Sequence, residues 1–412
     1  MLFDITKAFC FLVVFVRVTS SLSVSQRNED SSLLLQFEKV KSQLAALEKK
    51  VNIHCDSNGV GGVFVNFTSV SAGSFHVLPF SIDGDDYLYL PGKRSMVYRI
   101  RESHLRGENP LLTPHQHIRL PSDSSGAFRN ADFVQVGQRR FLATTHTRGC
   151  QIHEWRGSRF VLHQKISFSD SGRVSPKYVQ IGSYSFLVFP FYSKTEEAAV
   201  YYWNKDEDRF VVFSRLPVKG GQNVEHIVVG NRHCLGFPLR SWDPETFGLS
   251  SKIFCWSGSH FVHHQTLPDG NKRAFSMISY AVGSLTYLVV AYHYDRLLKS
   301  HTKAYSDIYV WDSSQQKFTL IRSFPTPVAT ELDAFKIGNQ QYLTVANLGT
   351  DNTNPVASTI YRVEGPELTV HQEIQAIRIY EMKSFSHRDK TFLAISTEDE
   401  SHPTSIYRWQ SP

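Results

Sequence analysis

Apolar and polar residues alternate with a period of two through most of the chain, in short runs interrupted by Gly, Asn, Asp and Ser. That pattern predicts half-buried strands joined by tight turns. Residues 280–322 show the unit. An apolar alternation ends at Gly283, an apolar run covers 287–291, Ile308-Tyr309-Val310-Trp311 follows, and Phe318-Thr319-Leu320 closes it.

The unit repeats. A Gly is followed four residues later by an aromatic residue or Cys and then by Leu: Gly137 with Phe141-Leu142, Gly182 with Phe186-Leu187, Gly230 with Cys234-Leu235, Gly283 with Tyr287-Leu288, and Gly338 with Tyr342-Leu343. A second landmark is a β-branched residue with Trp three places on: Ile152 to Trp155, Val200 to Trp203, Ile253 to Trp256, Ile308 to Trp311 and Ile406 to Trp409. Val97-Tyr98 and Ile360-Tyr361 keep an aromatic residue without the Trp. The third landmark is an apolar pair such as Phe160/Leu162, Phe210/Val212 or Leu368/Val370, often running into His-Gln.

Counting Leu88, Leu142, Leu187, Leu235, Leu288, Leu343 and Leu393 gives seven copies, over about 75–120, 128–168, 174–217, 222–268, 274–324, 330–374 and 379–412. Asp83 and Arg388 stand where the inner copies have Gly, and irregular end units are expected of a repeat array. Four short strands per copy predict an all-β fold, a seven-bladed β-propeller, with a solenoid as the alternative. The last copy stops at Trp409 after its third strand, so the β-rich segment 62–70 is expected to close the ring as the fourth.

At these landmarks the sequence resembles the EAR (epilepsy-associated repeat, or EPTP) family, and the resemblance covers about residues 62–412. It implies a seven-bladed propeller in a secreted or cell-surface protein that binds other proteins and has no catalytic activity. Neither leucine-rich repeats nor a laminin G-sized domain precedes the propeller in this sequence, so the functions of individual family members do not carry over.

Upstream, residues 1–21 combine Lys7, the apolar run 8–16 and small residues at Thr19, Ser20 and Ser21. The run is too short for a bilayer and predicts a cleaved signal peptide, hence secretion. No other stretch is long and apolar enough to cross a membrane. After a linker at 22–31, residues 32–54 change to a heptad: Leu33, Phe37, Val40, Leu44, Leu47 and Val51. So short a helix needs a partner, either other chains, making a homo-oligomer through 33–51, or its own propeller.

Of five cysteines, Cys10 falls in the signal. Cys234 and Cys255 fall on consecutive strands of the fourth copy, where they face one another closely enough for a disulfide. Cys55 would join chains or pair with Cys150. Asn66-Phe67-Thr68 is a glycosylation sequon on the expected closing strand.

Little points to chemistry. The 18 histidines include His115, His163, His264 and His371, each before Gln at one repeat position, which marks them as structural. There is no metalloprotease, nucleophile-elbow, phosphate-loop or Cys-x-x-Cys motif, so no enzyme and no cofactor is expected. Calcium is the one candidate ligand: Asp83, Asp85 and Asp86 form an acidic turn, while Asp132 and Asp333 fall on first strands that would line the channel. Solvated turns and ordinary channel lining are the alternative. The net charge of +6 permits contact with acidic glycans but carries no nucleic-acid signature.

The copies differ most between second and third strands. That gap is 9 residues in the first copy, 18 in the fourth and 20 in the fifth. The long loops hold Arg240, Trp242 and Phe247, then Tyr292, Tyr294, Arg296, Leu297, Leu298, Lys299 and Lys303. Aromatic residues beside Arg are the composition of binding hot spots. These residues are therefore the expected surface for an extracellular or cell-surface protein or a matrix component. A glycan- or calcium-binding matrix protein is the second expectation.

Overall fold

The computed structural model describes residues 62–70, 74–101, 111–119, 130–169, 174–192, 197–240, 249–301, 303–349, 355–398 and 402–411. The expected signal peptide, heptad helix, Cys55, Trp242 and Phe247 lie outside them.

Seven four-stranded antiparallel sheets form the blades of a propeller. In blades 1 to 6 the strands of each sheet follow chain order from the axis outward, as in blade 2: Asn130–Val136, Arg139–His146, Gly149–Trp155 and Phe160–Ser167. Blade 7 takes Ile379–His387, Lys390–Thr397 and Thr404–Gln410 from the end of the chain and Val63–Val70 from its beginning. Val63 pairs with Gln410 and Val70 with Thr404, so both ends of the ring are tied into one sheet.

The turn between first and second strands needs a left-handed residue, as at Gly283 with φ 60°. Asp83 and Arg388 adopt the same conformation at φ 52° and 54°, so the end copies depart in residue type and not in shape.

Each sheet buries both faces against its neighbours, giving seven apolar clusters, one per blade interface. Leu88, Leu142, Leu187, Leu235, Leu288, Leu343 and Leu393 are all completely buried there. The repeated Leu is thus the residue around which each interface is packed.

One irregularity recurs in every blade. The pairing of third and fourth strands shifts by one residue, which leaves His115, His163, Phe213, His264, Ile321, His371 and Phe67 as the extra residues of β-bulges. A bulge re-aims side chains. At the four His-Gln pairs it turns the extra residue and its successor toward the next blade.

Four interfaces gain a staple from this. The amides of Gln116, Gln164, Gln265 and Gln372 each bond both the N–H and the C=O of an outer-strand Phe in the next blade: Phe160, Phe210, Phe318 and Phe64, all at 2.7–2.9 Å. The preceding His stacks on the next blade's Trp, with ring centroids 5.6, 5.8, 5.7 and 5.4 Å apart for Trp155, Trp203, Trp311 and Trp409. His115, His163 and His371 also donate from Nε2 to the carbonyls of Ser158, Asp208 and Gly62. The recurrent His-Gln pair therefore joins blades.

Candidate functional site

Two places gather polar side chains: the central channel, and the face that carries the second-to-third-strand loops.

The channel is lined by first strands. Five residues before the turn, blades 2, 4 and 6 place Asp132, Glu225 and Asp333. Each carboxylate accepts from the first strand of the next blade: Asp132 from the Tyr178 N–H at 2.6 Å, Glu225 from the Ser279 N–H and hydroxyl at 3.1 and 2.9 Å, and Asp333 from the Ser384 N–H and hydroxyl at 2.8 and 2.5 Å. Lys383 donates to Asp333 at 2.6 Å and Lys177 lies 3.7 Å from Glu225. Burial still raises the Asp132 carboxyl above its ordinary value, against the opposing pull of Lys177.

Toward the loop face the channel is filled. Phe75, Phe275 and Tyr380 meet edge to face with centroids 5.6 and 5.8 Å apart, and Gln222 donates to the Tyr380 hydroxyl at 3.1 Å. Asn223 donates to Glu331 at 2.7 Å, and Glu381 accepts from the Val77 N–H at 2.7 Å. Burial pushes the Glu331 carboxyl up to about 7, with His76 opposing the shift and Glu381 adding to it. Next to this plug, Phe75, His76, Asn130, Val174, Ser175, Gln222 and Tyr380 line a cavity with room for about one water molecule.

Of the five acidic residues considered for calcium, four are engaged elsewhere. Asp132 and Asp333 hold neighbouring blades, Asp85 pairs with Arg99, and Asp86 accepts from Ser81 and His387 at 2.5 and 2.6 Å. Asp83 is exposed in its turn. Among the described residues no group of three or more His, Cys, Asp or Glu is arranged to hold a metal ion.

On the loop face, the loop-bearing ends of blades 4 and 5 pack together. The Ala274 N–H in blade 5 donates to the Leu239 carbonyl in blade 4 at 3.1 Å. Arg240 points inward, with its guanidinium 4.2 Å from the Phe275 ring and 4.9 Å from the Tyr192 ring, and it is 6% exposed. Tyr292 is also buried, donating to Asp269 at 3.2 Å with Lys272 4.5 Å above its ring. These two correct the expectation of an exposed surface, because both rest in aromatic or ionic contacts inside the domain. Tyr294 is half-buried between Arg273 and His301, 4.9 and 4.7 Å away.

What projects is the tip between Leu285–Asp295 and Tyr305–Asp312. Arg296, Leu297, Leu298 and Lys299 are exposed, the two leucines by 75% and 49%. The turn is ordered: Asp295 and Ser300 exchange backbone bonds at 3.0 and 3.1 Å, the Asp295 carboxylate accepts from the Leu298 N–H at 3.1 Å, and Lys299 takes φ 48°. Composition pointed to this loop but could not separate its tip from its buried base.

Cys234 and Cys255 are directly opposite across second and third strands and form a disulfide. Cys150 is a buried free thiol in the core between blades 2 and 3, and Cys55 lies outside the described residues. Asn66 is exposed on Val63–Val70, the outer strand of blade 7, beside the bulge at Phe67. No helix among the described residues is long and apolar enough to cross a membrane.

No protein-family model matches the chain. Among curated proteins it is similar to the thrombospondin-type laminin G domain and EAR repeat-containing protein of Mus musculus, 22% identical over 320 residues, which covers 63% of this chain and 47% of the relative. The protein of the same name from Homo sapiens is 24% identical over 160 residues, covering 38% of this chain and 23% of that protein. The match thus spans less than half the length of either relative. Among solved structures it is similar to the SapL1 lectin in complex with alpha methyl fucoside, with a TM-score of 0.47 and 11% identity over 74% of this chain and 99% of that one. Seven in-register repeats folded as seven blades, together with relatives named for the EAR repeat, support the resemblance of this chain to EAR repeat proteins.

Proposed function

We propose that the chain is a secreted, non-enzymatic interaction protein that binds a cell-surface receptor or matrix component through the loop face of blade 5. The observation that carries this is the ordered turn presenting Leu297 and Leu298 between Arg296 and Lys299. Two exposed leucines held by a hydrogen-bonded turn gain by burial in a partner, at about 25 cal/mol per Å² of apolar surface covered. Arg296, Lys299 and Lys303 favour an acidic rim around that partner's socket.

The channel supports a scaffold role. Its carboxylates bond to neighbouring blades and its loop-face end is plugged by Phe75, Phe275 and Tyr380. A homo-oligomer through 33–51 would multiply weak contacts at the tip into avidity. A glycan on Asn66 would sit on the rim of blade 7, away from that tip.

The test is binding of fluorescent, artificially tetramerised mature protein to intact cells, comparing wild type with Leu297→Asp/Leu298→Asp at matched thermal stability. Loss of cell binding is expected. Undiminished binding would remove the tip from the interface, and binding that appears only on a glycan array would replace the protein partner with a carbohydrate.

A further inference from the structure

Blade 4 carries a pair of imidazoles that the interaction function leaves unused. His226 lies on Glu225–Val229 and His233 on Arg232–Phe237. Val228 pairs with His233 and His226 with Leu235, so the two histidines are diagonal neighbours on one face of the hairpin. His226 Nε2 stands 3.1 Å from His233 Nδ1, with ring centroids 5.3 Å apart. Both rings are half-buried.

No other blade repeats this. The corresponding diagonal is Pro79/Asp86 in blade 1, Phe133/Arg140 in blade 2, Tyr178/Ser185 in blade 3, Ser279/Thr286 in blade 5, Ala334/Gln341 in blade 6 and Ser384/Thr391 in blade 7. The pair is therefore not part of the repeat's packing scheme, unlike the His-Gln staples.

We propose that His226 and His233 form a two-histidine chelate for a borderline transition-metal ion of the Zn²⁺, Ni²⁺ or Cu²⁺ class, with water completing the coordination. Imidazole nitrogens bind such ions at about 2.0–2.1 Å. Two of them on a tetrahedral ion are then about 3.4 Å apart, and cis on a square-planar ion about 2.9 Å apart. The observed separation lies between these values, and with the rings 16° from parallel each must rotate about its side-chain torsions to turn a lone pair onto the ion.

Ligand histidines must be neutral. Lys177 opposes a cation, but its ammonium lies 3.7 Å from the Glu225 carboxylate, which offsets it. Without metal one ring donates its N–H to the other. On chelation the donor ring shifts that proton to its second nitrogen, so both lone pairs face the ion and no net proton is released. Calcium and magnesium, which take oxygen ligands, are excluded by the donor set.

Zn²⁺ titration of the mature protein, followed by equilibrium dialysis and thermal unfolding, tests this. Wild type should bind one more ion per chain than His226→Gln or His233→Gln, and Zn²⁺ should raise the Tm of wild type alone, since a ligand of the native state stabilises it. His260→Gln, at an exposed turn, should behave as wild type. Equal stoichiometry in wild type and both variants would overturn the proposal. Should the variants fold poorly, electron paramagnetic resonance of one equivalent of Cu²⁺ on wild type decides: two coupled imidazole nitrogens support the chelate, and one or none refutes it.

Discussion

The side-chain amide of Gln372 bonds both the N–H and the C=O of Phe64 at 2.8 Å, across 308 residues of sequence. The strand that closes blade 7 is therefore held from two sides, by Thr404–Gln410 within its sheet and by the staple from blade 6. It is the same device that Gln164 applies to Phe210, at a sequence separation of only 46. What fastens neighbouring blades also fastens the ends of the chain.

Gln372→Ala and Gln164→Ala each delete two hydrogen bonds to backbone and should each cost about 1–3 kcal/mol. Only the first frees a terminal strand. Amide hydrogen exchange should therefore accelerate across 63–70 in Gln372→Ala with little change there in Gln164→Ala. Equal protection of that strand in both variants would refute a closing role for the staple.

Ser214 of blade 3 occupies the staple position, and its buried hydroxyl has no hydrogen-bond partner among the described residues. The next blade offers Phe261 where the other staples find Phe. Ser214→Gln should supply the missing bonds and raise stability by about 1 kcal/mol, read as a shift in the urea midpoint at unchanged slope.

Glu331 is buried with its carboxyl pushed up to about 7 from an ordinary value of 4.5. The folded state thus holds a proton that the unfolded chain releases. This contribution to stability is complete below about pH 4.5 and is lost as pH rises through about 7. The loss should approach about 3.5 kcal/mol, taking about 1.4 kcal/mol per pH unit. Glu331→Gln keeps an acceptor for Asn223, and unfolding at a series of pH values should show its profile flattened in that window relative to wild type.

The Cys234–Cys255 bond closes a loop over a sequence separation of 21. A chain-entropy argument gives about 3 kcal/mol for such a loop. Cys234→Ala/Cys255→Ala should lower stability by about that amount, measured by denaturant unfolding, and the loss should match that of wild type in reductant.

The repeat was legible because its signals are local. A hairpin turn, a Leu buried on two sides and a Trp at fixed spacing recur within each copy, and Cys234 and Cys255 face one another because neighbouring strands of a hairpin must. The His-Gln recurrence was visible too, but its purpose was not. Gln116 acts on Phe160 and Gln265 on Phe318, in the following copy, and nothing within one copy shows the bulge that turns them there.

The loop residues show the same division. An Arg near aromatic residues has one composition whether it awaits a partner or is already stacked. Arg240 is stacked on Phe275, which belongs to the next blade. Leu297 and Leu298, unremarkable as an apolar pair in sequence, are exposed because a hydrogen-bonded turn lifts them off the domain. The sequence by itself determined the number of blades, the strand pattern within them and the disulfide, since those depend on neighbours along the chain. Only the tertiary structure decided which polar side chains join blades, which fill the channel and which reach solvent, since each of those depends on what a different blade places opposite.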